Sequence, residues 1–151
     1  AVDRDGQALA EFAGALVAMY TGWAAARRMH LTVLRDDPAR WVAAVSGFGA
    51  RRLLAGEHGL HVHERGEGRT TRKTSVRVTV APRPAGPDGD RARMLALADA
   101  ALAEATHGEP VIVRRYREEP APLVRDLVRG WRTGRLDRVL AGDFDLVPGA
   151  G

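Results

Sequence analysis

Within HERGEGRTTRKTSVRV the cations Arg69, Arg72, Lys73 and Arg77 follow one another closely, with the hydroxyls of Thr74 and Ser75 between them. Such side chains donate to phosphate oxygens without reading a base, so the run has the chemistry of a phosphate-binding edge, with Arg51 and Arg52 expected beside it. Ribosomal RNA or another phosphate-rich partner would suit that edge. The same charges also suit a solvated hairpin that only guards an edge strand, and sequence alone leaves both readings open. Trp131 stands among Arg129, Arg132 and Arg135. An aromatic flanked by Arg is expected to be exposed, so Trp131 and Arg132 are read as a partner contact.

Other chemistries find less support. His61 and His63 would share one strand face, but two imidazoles need a further ligand, and only Glu57 or Glu64 is near. Ser46 and Ser75 fall in ordinary strand contexts, and the pairs Asp36/Asp37 and Glu118/Glu119 read as turn residues. With no cysteine in the chain, disulfides, thiolate metal sites and cysteine nucleophiles are excluded. The expectation is a chain without catalytic residues, metal or cofactor.

All but one of the 23 basic residues are Arg, the exception being Lys73, and the formal net charge is +4. Arg meets phosphate as a planar fork and stacks on bases, which suits RNA; a GC-rich genome would produce the same bias without any function. The longest apolar stretches fall short of the roughly 20 residues of a membrane span, so no membrane is expected and cytoplasm is the default location. The N-terminal AVDRDGQALAEF has neither an initiator Met nor the features of a signal peptide, which suggests a piece of a longer chain.

The elements that must carry these residues follow from periodicity. Leu9, Phe12, Leu16, Tyr20 and Trp23 recur at helical spacing, predicting an amphipathic helix over Gln7 to Met29 with its Leu9–Phe12–Leu16–Tyr20 face on a sheet. LTVL (Leu31 to Leu34) and WVAAVSG (Trp41 to Gly47), separated by the turn signal DDP, read as neighbouring strands, and a short helix is expected over Ala50 to Ala55. GLHVHER and TSVRVTVAP alternate as antiparallel half-buried strands about the loop GEGRTTRK. RPAGPDGD (Arg83 to Asp90) is a linker by composition. Beyond it come a helix over Arg91 to Thr106, a strand VIVRRY (Val111 to Tyr116), a Pro-rich turn, an Arg-rich loop, and a short helix around Leu136 to Leu140.

Three blocks in this order resemble bacterial class I peptide chain release factors of the type 2 kind. AMYTGWAAARRMHLTVL is similar to the helix and strand that open the codon-reading domain. VSGFGARRLLAGEHGLHVHE is similar to the family's segment leading to a Gly-Glu-x-Gly-hydrophobic-His block, here Gly56, Glu57, Gly59, Leu60 and His61. The tail resembles the family's Arg-Thr-Gly loop (Arg132, Thr133, Gly134) and its ending at Val139, Leu140, Gly142, Phe144 and Asp145. The resemblance implies an α+β fold: a mixed or antiparallel sheet with helices on one face, completed by VIVRRY. One domain over 1–151 is expected, with 1–82 and 91–151 joined by the 83–90 linker.

The departures from the family bear on function. Release factors carry a hydrolytic domain with a Gly-Gly-Gln motif where this chain has only that linker, and no Gly-Gly-Gln occurs in the sequence. The codon-reading Ser-Pro-Phe tripeptide is missing, and Lys73 stands where the family has a base-stacking His, followed by the matching Thr74 and Ser75. The resemblance therefore implies a non-catalytic module that binds the ribosome or RNA without peptidyl-tRNA hydrolysis. The alternative is a protein-interaction or substrate-recruiting C-terminal domain of a larger chain, such as a chaperone-type ATPase.

Overall fold

The computed structural model describes residues 4–37, 40–83 and 91–145. Apart from Arg83, the expected linker lies outside the described residues.

Helix α1 (Arg4–Ala26) is followed by β1 (His30–Asp37), β2 (Arg40–Ser46), the short α2 (Ala50–Leu54), β3 (Gly59–Arg65) and β4 (Arg72–Val78). The second part holds α3 (Arg91–Ala105), β5 (Ile112–Arg117), β6 (Leu123–Asp126), β7 (Arg132–Thr133) and α4 (Leu136–Leu140). β1 and β2 form an antiparallel hairpin of their own. The main sheet has five strands in the order β4-β3-β5-β6-β7, with β5 parallel to β3 and every other pairing antiparallel. The fold is thus α+β with a mixed sheet, as expected, and strands from both ends of the chain meet at β3 and β5.

α1 begins and ends three residues earlier than its periodicity suggested. Arg28 adopts a left-handed φ of 55°, and the N–H groups of Arg28 and Met29 donate to the carbonyls of Ala25 and Ala24, a Schellman cap made without glycine. The buried face consists of Phe12, Leu16, Met19, Tyr20 and Trp23. Leu9 is instead 46% exposed. By length and composition α1 is also apolar enough to cross a membrane, contrary to the sequence reading. Its apolar side, however, is the core's own: Phe12 meets Tyr116 edge-on at 5.3 Å, and Trp23 stacks on Phe144.

The expected Arg-rich loop in fact contains two short strands. Asp126 Oδ1 accepts from the N–H groups of Val128 and Arg129, and the Asp126 N–H donates to the Trp131 carbonyl, so the chain turns back and pairs as β7. α4 then seats Leu136 and Val139 in the core. α3 buries no side chain; Asp99 holds it to the hairpin through Arg35 and Arg40, at 2.9 and 2.7 Å. Between α1, β4, the hairpin and α3 lies an apolar groove of about 920 Å³, walled by Ala13, Val17, Val78, Met94 and Leu102.

Candidate functional site

Strand alternation gives the main sheet two unlike faces. On the inner face, toward α1 and α4, one register row carries Thr74, His63, Tyr116, Val124 and Thr133, and the next Val76, His61, Arg114 and Asp126. On the outer face the rows are Lys73, Glu64, Arg117 and Leu123, then Ser75, Val62, Arg115, Arg125 and Arg132. The outer face is therefore strongly cationic, with Glu64 as the carboxylate of these two rows. Glu64 is taken by Arg115 at 3.0 Å, and the Arg117 Nε donates to the Ala121 carbonyl. Lys73, Arg125 and Arg132 are exposed and make no ion pair among the described residues. Across four strand spacings the face from Lys73 to Arg132 measures about 19 Å.

The β3–β4 hairpin tip adds to this face. Its loop is held from below by the β5–β6 turn, since Glu118 receives the Arg65 Nε at 2.9 Å and Glu119 the Gly66 N–H at 3.0 Å. Arg69 projects free from it, whereas Arg72, paired with Arg65, is exposed on the inner side of β4 with Thr74. Arg72 and Lys73, expected in the loop, are the first two residues of β4.

The residues singled out from sequence are only partly brought together. Arg69, Arg72 and Lys73 cluster at the tip, with Thr74 and exposed Ser75 next along β4. Arg51 and Arg52 do not stand beside them, because α2 precedes β3 and the tip follows it, roughly 20 Å away along the strand. Arg77 sits at the far end of β4, half-buried, donating to the Ala105 carbonyl at 2.6 Å. Arg132 lies on the basic face. Trp131 is buried, 7% exposed, because its pairing with Asp126 points it inward, where the Arg114 guanidinium lies 5.4 Å from its ring. It is core and not a contact surface. Sequence reasoning missed Arg125, whose strand it read as loop.

Beneath the sheet lies a polar cluster that periodicity does not announce. Glu57, Arg114, Asp126 and His61 are all buried. Arg114 bridges Glu57 at 2.6 Å and Asp126 at 2.8 Å, and Arg129 bridges the same two carboxylates at 2.5 and 3.0 Å. Two carboxylates face two guanidiniums, so the cluster is neutral and each charge has a partner, the condition under which burial is tolerated. Tyr20 donates to Glu57 at 3.0 Å, and burial pushes its hydroxyl pKa well up. Arg129 also donates to the Leu53 carbonyl, so the β6–β7 turn is tied to α2.

His61 belongs to this cluster and not to a metal site. Its Nε2 lies 2.9 Å from the Glu57 backbone carbonyl, which only accepts, so Nε2 carries the proton. Nδ1 then accepts from the Tyr116 hydroxyl at 2.8 Å, and that hydroxyl accepts in turn from Arg114. Burial lowers the His61 pKa to about 4, with the Arg114 charge acting in the same direction. His63 shares the strand face, as expected, but its ring packs on Phe12 at 5.1 Å.

No family model matches the chain, and no curated protein sequence matches it. Solved structures do. RF2 of Thermus thermophilus is similar over 89% of this chain and 60% of its own, with a TM-score of 0.58 at 18% sequence identity. The chain spans about 60% of that protein's length. At this identity the likeness is one of fold, and the fold is release-factor-like.

Proposed function

We propose that this chain is a non-catalytic, release-factor-like module of the cytoplasm that binds the ribosome or RNA through phosphates and does not hydrolyse peptidyl-tRNA. The observation that carries the reading is the open basic face, where Lys73, Arg125 and Arg132, continued by Arg69 at the tip, have no acidic partner among the described residues. Guanidinium and ammonium groups spread over about 19 Å match a run of backbone phosphates. The likeness of fold to a release factor supports the ribosome as the source of that RNA. Base selectivity at this face should be poor, since Lys73 has no ring to stack.

A salt titration of binding to ribosomes and to unrelated RNA tests this. Replacing Lys73, Arg125 and Arg132 together by Ala should weaken binding to all sequences alike and flatten the salt dependence by about 2 to 3 units of slope. A triple variant that binds as tightly as the wild type, or a wild type that binds neither target at low salt, would reject the reading. A second reading, a protein-interaction or substrate-recruiting domain of a larger chain such as a chaperone-type ATPase, is favoured by the apolar groove of about 920 Å³. It becomes the better account in that event.

A further inference from the structure

The loop between β2 and α2 presents one aromatic ring to solvent. Phe48 is fully exposed, at 102% of its reference area, and stands between Gly47 and Gly49. Its pedestal is fixed. A Cβ on Gly47 would come within 2.5 Å of the Met29 side chain, so the backbone there is pressed against the protein. Gly49 takes a left-handed φ of 77°, the Ala50 N–H donates to the Gly47 carbonyl, and Ala50 itself is buried. An exposed Phe on a loose loop would fold back over apolar surface; this one is held away from it.

Arg51 and Arg52 follow directly, both exposed and without an ion-pair partner among the described residues. Glu57, the nearest carboxylate along the chain, is buried and committed to Arg114 and Arg129. The tip thus offers a π surface bare on both sides, with two exposed planar cations three and four residues further along the chain.

We propose that Phe48, Arg51 and Arg52 form a stacking site for an unpaired base of single-stranded RNA, the ring taking the base and the guanidiniums the flanking phosphates. The site rests on the RNA-binding reading above but is separate from the basic sheet face, lying beyond the opposite end of β3 from the hairpin tip. Paired bases have both faces covered, so the site selects unpaired segments, whereas the sheet face binds phosphates of any strand. A socket on another protein is the poorer fit. An anchor residue is ordinarily ringed by contacts that exclude water, and here the flanking residues are glycines.

The test is fluorescence anisotropy with a labelled single-stranded RNA of about 12 nucleotides, a length that one stacking groove can cover, and with a duplex of the same length. Phe48→Ala should lose on the order of tenfold in single-strand affinity and leave duplex affinity unchanged. Phe48→Trp should retain binding, with its added emission quenched by the RNA, while Phe48→Leu, apolar but without a π face, should behave as the Ala variant. Because the ring touches nothing, an unchanged melting temperature should accompany all three. Full single-strand affinity in Phe48→Ala, or in Phe48→Leu, overturns the stacking site, the latter marking an apolar anchor instead. If Phe48→Ala has no effect while the Lys73, Arg125 and Arg132 triple variant loses binding, the stacking site fails alone; if the wild type binds neither RNA, both readings fail.

Discussion

His61 is held neutral chiefly by its burial, with the Arg114 charge acting in the same direction, while the Glu57 carbonyl fixes its one proton on Nε2 and the Tyr116 hydroxyl occupies Nδ1. An unfolded chain protonates the same ring near pH 6.5, whereas the folded chain resists until about pH 4. The unfolded state therefore binds more protons in that window, and stability must fall as the pH drops through it. The ring's share is about 3 kcal/mol, present above pH 6.5 and lost by about pH 4. His63, also lowered by burial, acts in the same direction. Urea midpoints measured from pH 7.5 to 4.5 should show the decline, and His61→Gln, which keeps a donor and an acceptor but does not titrate, should flatten it. Equal slopes in the two proteins would mean that the acid sensitivity lies elsewhere. The basic face shows the same dependence on neighbours: Arg115 is spent on Glu64, whereas Arg125 has no ion-pair partner among the described residues.

Among the elements, α1 and α4 meet backbone to backbone at Gly22. A Cβ on Gly22 would collide with the Ala141 carbonyl, and backbone cannot step aside as a flexible side chain can. Gly22→Ala should cost about 1 to 3 kcal/mol in denaturant unfolding, although Ala is the better helix former. No loss of stability would show that α4 can shift. Most elements were legible in the sequence because their patterns are simple, as in the helical spacing of Phe12, Leu16, Tyr20 and Trp23 or the alternation of Leu60, Val62 and their neighbours. β6 and β7 were not. LVRD is four residues long and bears two charges, and Asp126 faces inward only because Arg114 and Arg129 are there to receive it. A strand whose inward residue is ionic carries no hydrophobic alternation, so pairing information from elsewhere in the chain is needed to see it.

For the whole molecule, the fold is release-factor-like and no Gly-Gly-Gln occurs in the sequence. Added to ribosomes stalled with peptidyl-tRNA, the purified chain should liberate no peptide above background, with or without a stop codon; stop-codon-dependent release would contradict the non-catalytic reading. The candidate site was half legible for a reason of topology. Arg69, Arg72 and Lys73 are neighbours in sequence and remain so in space, while Lys73 and Arg132 share a face only because β5 inserts between β3 and β6. The misplacement of Arg51 and Arg52 has the same origin, since nearness along the chain gave no hint that β3 would hold the two groups apart.

The parallel pairing of β5 with β3 also governs how the chain reaches this state. Leu60 finds Ile112, and Glu57 finds Arg114, across more than 50 intervening residues, so a large loop must close before either contact forms. Until β5 has emerged from the ribosome during synthesis, His61 lacks Tyr116 and Glu57 is a carboxylate with no cation to bury against. Residues 1–83 alone are then an incomplete half, and the main sheet can be completed only once β5 is made, a long-range closure expected to slow folding. The two halves, made as separate chains, should each be disordered in solution and acquire structure only when mixed.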